Sequence, residues 1–224
     1  MKYRLIGDIH GDFKTYLKLI QDADKSIQVG DFGVGFGMRG STARSHPSGG
    51  DLYARWGPLY EETLKAEPNL NHRFIRGNHD NPEACRENKL WIPDGTMCGP
   101  FFCVGGGLSI DKNRRTPGWD YWTDEELSYS DFQEIADSYE ALKPDFVISH
   151  DAPESVIQIM FHDYYSKNLY PSITRQGLDM LRNIHKPKYH FFGHWHEDRV
   201  ETIEGTTYVC LGINSVFDIE IPDA

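Results

Sequence analysis

The sequence predicts an α/β fold, built as one domain over residues 1–224. Short apolar runs of strand length alternate with longer stretches of helical period along the chain, the pattern of sheets covered by helices. No internal repeat, low-complexity segment or linker interrupts that alternation. A third observation concerns where the runs stop. Five of them end in a glycine or serine followed at once by Asp, Asn or His.

Taken in order, residues 3–11 read as a strand ending in a turn. Phe13, Leu17 and Ile20, with Tyr16 alongside, recur at helical spacing and predict a helix over residues 12–24, with Asp12 as its cap. A second strand opens at Ser26. Residues 33–57 are rich in Gly and Ser without a clear period and predict a long loop, a feature usually tied to function or mobility. Residues 58–67 suit a helix, 72–78 a third strand and 101–110 another, followed by a charged loop over 111–122. Thr123 with Glu126 three residues on has the form of a capping box, predicting a helix from there to residue 143. A strand over 144–151, a helix over 172–185, a strand over 188–196 and paired strands over 206–221 complete the chain.

Composition narrows the function. With 39% hydrophobic and 25% charged residues the chain suits a globular protein. No apolar run approaches the roughly 20 residues that span a bilayer, and the N-terminus lacks the form of a signal peptide, so a cytoplasmic location away from membranes is expected. The formal charge of −11 disfavours long DNA or RNA, whose phosphates need many cations. Cys85, Cys98, Cys103 and Cys210 form no CxxC pair and are expected as reduced thiols.

Chemistry concentrates at the strand ends. Five of the ten histidines lie there: His10, His79, His150, His194 and His196. Sites in α/β sheets form at the carboxyl ends of strands, and glycine lets a ligand come close to the backbone. Asp8 and His10 are two residues apart, as are His194 and His196. In an extended segment such pairs share a side and can reach one metal centre. Carboxylate, amide oxygen and imidazole together suit Mn, Fe or Zn. Asp8, His10, Asp31, Asn78, His150, His194 and His196 are more ligands than one ion needs, whereas two ions sharing a carboxylate would use them all. His46, His72, His162, His185 and His190 read as ordinary surface or core residues, and Asp151, before Ala-Pro, as a turn residue.

In chain order, Gly7-Asp-Ile-His-Gly11, Gly30-Asp31, Gly77-Asn-His-Asp80, Ser149-His-Asp151 and Gly193-His-Trp-His196 resemble the motif series of the calcineurin-like metallophosphoesterase superfamily, across residues 5–215. Residues 105–128 are similar to a segment of small bacterial and phage members. The resemblance implies a two-sheet β-sandwich flanked by helices, with a dinuclear metal site at one rim. Asp8, His10 and His196 would bind the first ion, Asn78, His150 and His194 the second, and Asp31 would bridge them. His79 would stand beside the substrate phosphate and donate a hydrogen bond or proton to the leaving oxygen. Asp80 would orient His79, make another supporting contact, or cap a helix. Manganese is the expected metal, with iron or zinc as alternatives.

The implied activity is hydrolysis of a small phosphomonoester or phosphodiester by direct attack of a hydroxide bridging the two ions. A nucleotide phosphodiesterase or nuclease is the alternative, followed by a non-catalytic scaffold that should have lost ligands. One departure stands out. Where the phosphoprotein phosphatase branch carries a later Asp and Arg in its second motif, this chain has Val34 and Gly35. Phosphate-binding cations would have to come from Arg39, Arg44, Arg114 or Arg115, for which a solvated surface position is the open alternative. Trp119, Tyr121 and Trp122 either wall a cleft or pack the loop, and Gly105–Gly107 permits tight backbone packing at a sheet rim.

Overall fold

An apolar run without polar alternation has two faces to bury; two sheets packed face to face cover one of them and helices cover the other. The computed structural model describes residues 1–36, 69–163 and 170–221, together with the backbone of 38–39 and 42–43. Its strands are β1 (Lys2–Ile6), β2 (Ser26–Gln28), β3 (Met38–Arg39), β4 (Thr42–Ala43), β5 (His72–Phe74), β6 (Thr96–Cys98), β7 (Phe101–Val104), β8 (Phe146–Ser149), β9 (Tyr189–Phe192), β10 (Arg199–Ile203), β11 (Thr206–Cys210) and β12 (Val216–Glu220). The helices are α1 (Phe13–Ile20), α2 (Pro82–Arg86), α3 (Tyr129–Leu142), α4 (Glu154–Met160) and α5 (Ile173–Ile184). One sheet runs β12-β1-β2-β5 and the other β10-β11-β9-β8-β7-β6, while β3 and β4 pair as a short ribbon. Strands β1, β2 and β5 are parallel, as are β7, β8, β9 and β11; antiparallel β12, β10 and β6 form three of the four edges of these two sheets, and β5 forms the other.

Neighbouring residues on one strand serve opposite layers. Leu5, Phe101, Cys103, Ile148 and Phe191 point between the sheets. Ile6 packs outward with Phe13 and Tyr16 of α1. On the far side Phe102, Val104 and Val147 meet Phe132 and Tyr139 of α3 and Leu178 of α5, and Phe192 meets Val156 and Ile157 of α4. The result is two mixed sheets flanked by helices, as the motif series implied.

Two expectations need correction. The helix expected from Thr123 begins at Tyr129, because Ser128 and Asp131 form the capping box. Glu126 instead turns to α5, accepting from Ser172 Oγ at 2.6 Å and Thr174 N at 3.0 Å. The strands over 206–221 do not pair with each other: β11 and β12 belong to different sheets. Strand β10, which pairs with β11 instead, was not anticipated. Asp12 does cap α1, accepting from Thr15 N. The helix expected over 58–67 lies outside the described residues, as does most of the loop expected over 33–57. Among the described residues no helix is long and apolar enough to cross a membrane, and all four cysteines are free thiols.

Candidate metal centre

Parallel strands bring their carboxyl ends to one rim. Asp8 and His10 follow β1, Asp31 follows β2, Asn78 and His79 follow β5, His150 follows β8, and His194 and His196 follow β9. Backbone bonds stitch the turns together. His10 N donates to Asp31 O at 2.8 Å and Gly193 N to His150 O at 2.9 Å.

These turns are tightly wound. His10, Asp31, His194 and His196 have φ values of 44°, 55°, 66° and 56°, a left-handed region that costs about 1–3 kcal/mol for a residue with a Cβ. Contrary to the sequence expectation, the spacing of two therefore does not act through extended backbone. Instead Trp195, between the two histidines, is drawn inward: its Nε1 donates to Asp151 Oδ1 at 2.9 Å and its ring stacks on Phe161 with centroids 4.5 Å apart. Two of the preceding glycines answer a spatial need. A Cβ on Gly77 would collide with Asp31 Oδ1, and one on Gly193 with Asp8 Oδ1.

Asp8, His10, Asp31 and His196 each offer one atom within 4.8 Å of the others. His10 Nε2 and His196 Nε2 face each other at 2.9 Å, and Asp8 Oδ2 lies 3.2 Å from His196 Nε2. Two ring nitrogens so close repel unless a proton or a cation stands between them. Two imidazoles and two carboxylates suit a divalent ion of the Mn, Fe or Zn group. The hydrogen bond to Asp8 raises His196 above the ordinary imidazole range against its partial burial.

A second group adjoins the first. His150 Nε2 lies 3.1 Å from Asn78 Oδ1 and 3.3 Å from Asp31 Oδ1, and the His194 ring is 5.0 Å from that of His150. His150 Nδ1 is 3.0 Å from Val29 O. With Nδ1–H donated to that carbonyl, Nε2 faces two oxygens, and a proton or a cation has to stand between them. Burial works to lower His150, but the carboxylate of Asp31 prevails and raises it to about 10. Burial likewise opposes ionisation of Asp31, yet the surrounding imidazoles, His79 and His150 foremost, hold its carboxyl well below the usual range. Asp31 spans both groups: Oδ1 faces His150, and Oδ2 lies 3.7 Å from His10 Nδ1.

Around this centre the expected residues divide. The His79 ring stacks on Phe36 at 4.8 Å, and its Nε2 accepts from Arg115 Nη2 at 2.8 Å. Burial pulls His79 down to about 4; Asp31 opposes and Arg115 reinforces the shift. Asp111 Oδ1 in turn accepts from Arg115 Nε at 2.6 Å. Arg114 is exposed on a 3-10 turn, while Arg44 and the side chain of Arg39 lie outside the described residues.

Asp80 neither orients His79 nor caps α2, whose cap is Asn81. Its carboxylate accepts from Phe32 N, Gly33 N, Val34 N and Gly77 N, tying the β2 turn to the β5 turn. Burial, reinforced by Asp31, lifts it to about 6. Asp151 is likewise more than a turn residue, being fully buried and paired with Arg175. Trp119 and Trp122 are buried, and the Trp122 ring lies 5.9 Å from that of Phe36. Gly105 lies against the backbone oxygen of Arg76, with no room for a Cβ. Ser109, Glu125 and Arg175 were missed, since nothing in their local sequence separates them from surface residues. A cavity of about 450 Å³ opens beside the centre, lined by Asp31, Asn78 and His194 and also by Leu108, Ile110 and Trp195.

A profile of the family described as calcineurin-like phosphoesterase matches residues 1–198. Among solved structures, the chain is similar to a putative 5'-nucleotidase from Staphylococcus aureus in complex with alpha-ketoglutarate, at 13% identity and a TM-score of 0.52. That match covers 97% of this chain and 50% of the other, so the chain spans half the length of that protein. At such identity the likeness speaks for the fold alone. A Streptococcus pneumoniae protein described as a predicted phosphoesterase matches at 11% identity and a TM-score of 0.36, over 98% of this chain and 84% of that one. No curated protein matches the sequence.

Proposed function

Because the chain belongs to the calcineurin-like phosphoesterase family, we propose that it hydrolyses a small phosphomonoester or phosphodiester with the help of two divalent ions, manganese first among them and iron or zinc as alternatives. One observation carries this reading: the carboxylate of Asp31 turns one oxygen toward each of two adjoining imidazole groups. Asp8, His10 and His196 would hold one ion, Asn78, His150 and His194 the other, and Asp31 would serve both. When bound, the ions would neutralise phosphate oxygens and bring a water's pKa toward neutrality.

The chain's own residues supply the rest. Arg115, oriented by Asp111, donates to His79 and is suited to a phosphate oxygen. His79, neutral near pH 7, would contribute a hydrogen bond to substrate rather than an imidazolium proton. Leu108, Ile110 and Trp195 would receive the organic part of the ester. Those apolar walls also favour, as a second reading, a nucleotide phosphodiester whose base packs against them. A scaffold role fits poorly with a complete ligand set. The whole chain is taken to act as one domain in the cytoplasm, where four free thiols stay reduced.

The test is turnover of a panel of chromogenic mono- and diesters before and after chelation. Activity should vanish with the metal and return with Mn. Undiminished activity after chelation, or none with Mn, Fe or Zn, would reject the proposal. His79→Ala should lower kcat by roughly 100-fold, as loss of one transition-state donor does, with metal content unchanged. Loss of metal instead would make His79 a ligand.

A further inference from the structure

The segment from Gly105 to Ser128 folds back on itself beneath the second group of candidate ligands. Ser109, at its start, and Glu125, near its end, are 2% and 3% exposed, so their polar atoms have to be satisfied internally. Ser109 N donates to Glu125 Oε1 at 2.8 Å and Ser109 Oγ donates to Glu125 Oε2 at 2.7 Å. Asn78 Nδ2 then lies 3.0 Å from Ser109 Oγ.

Hydrogen-bond counting fixes the direction of this chain. An ionised carboxylate only accepts, and a hydroxyl has a single proton. Ser109 spends its proton on Glu125, so toward Asn78 its oxygen can only accept. The end of the Asn78 amide that meets it must be the NH2. The opposite end, Oδ1, is thereby turned toward His150 Nε2. The two ends of an amide have nearly the same shape, so packing does not choose between them. Glu125 itself is held in place, because its backbone oxygen accepts from Arg76 Nη1 at 2.8 Å while Arg76 Nε donates to Asp94 Oδ2 at 2.8 Å.

We infer that Glu125 is a positioning residue which, through Ser109, sets the amide of Asn78 with its oxygen toward the second ion. The inference rests on the two-ion reading above and deepens it: the loop between β7 and α3 orients one ligand of the second metal position. Glu125→Gln is nearly isosteric but offers one acceptor where two are needed. Its NH2 would donate to Ser109 Oγ, whose proton then turns to Asn78. The amide flips and presents NH2, which has no lone pair to give, to the ion.

The experiment is a Mn titration of the full chain, stripped of metal and reloaded, followed by calorimetry and by metal counting after dialysis. It is run at pH 8, above the value of about 7 to which burial lifts Glu125. Glu125→Gln should weaken the second ion by roughly 10- to 100-fold, the range for a residue supporting a ligand, and leave the first unchanged. Adding Asn78→Asp should recover the second ion, because a carboxylate accepts from Ser109 with one oxygen and still presents the other.

Two ions bound at unchanged affinity in Glu125→Gln would overturn the inference. So would a double variant no better than the single, since the loss would then come from a disturbed loop. If Glu125→Gln fails to fold by circular dichroism, Ser109→Ala takes its place, and unchanged second-ion binding in that variant overturns the inference equally. The unsubstituted chain, titrated alongside, tests the two-ion reading separately. One ion there rejects that reading, whereas two ions there and two undiminished in Glu125→Gln reject only the role of Glu125.

Discussion

Asp31→Asn should lower kcat/KM by more than 100-fold and should weaken the two ions unequally. Residues that merely support a ligand change metal affinity or activity by roughly 10- to 100-fold, and a carboxylate shared by two ions should exceed that. The inequality follows from a backbone bond. His79 N donates to Asp31 Oδ1 at 2.8 Å, so an asparagine would keep its oxygen there and place its NH2 where Oδ2 now faces His10. The ion near Asp8, His10 and His196 should suffer most. Full activity in this variant would show that Asp31 is not shared.

Asp151→Ala should have the largest effect on stability. Asp151 is fully buried, Arg175 is 3% exposed, and they pair at 3.4 Å. Removing one partner of a buried pair leaves an uncompensated charge, at a cost of 3–5 kcal/mol. Glu154 still holds Arg175 Nε at 2.6 Å, so about 3 kcal/mol is expected. For a chain of this size that lowers Tm by roughly 6–12 °C. Trp195 also loses its acceptor, which loosens the turn carrying His194 and His196. Burial opposes ionisation of Asp151, yet His194, Arg175 and Trp195 hold it below its ordinary 3.8. The contribution is therefore complete above that value and is lost as pH falls through the lower folded value. A melting point within 2 °C of the unsubstituted chain would contradict this account of Asp151.

The rim was legible because each of its motifs is contiguous. A strand followed by Gly-Asp or Gly-His states both the element and the group at its end, and seven candidate ligands came into view that way. Their supports were not legible. Asp151, Arg175, Ser109 and Glu125 act through partners 16 to 49 residues away in sequence, and no local pattern marks such pairs. Capping shows the same limit: Thr123 with Glu126 and Ser128 with Asp131 both satisfy one local rule, and only the position of α5 draws Glu126 away. Strands β11 and β12 look like partners from their spacing, but residues 211–215 carry the chain from one sheet to the other. The glycines were legible as a pattern but not in their reason, since the carboxylates that need the space at Gly77 and Gly193 belong to other turns.

On the proposed function, the carboxylate of Asp31 would join two metal positions. The most direct measurement is a count of Mn bound per chain at saturation, with an electron paramagnetic resonance spectrum of the loaded protein. Two ions with an exchange-coupled spectrum, replaced by that of an isolated ion in Asp31→Asn, is the predicted result. Saturation at a single ion, or two ions whose spectra simply add, would contradict it.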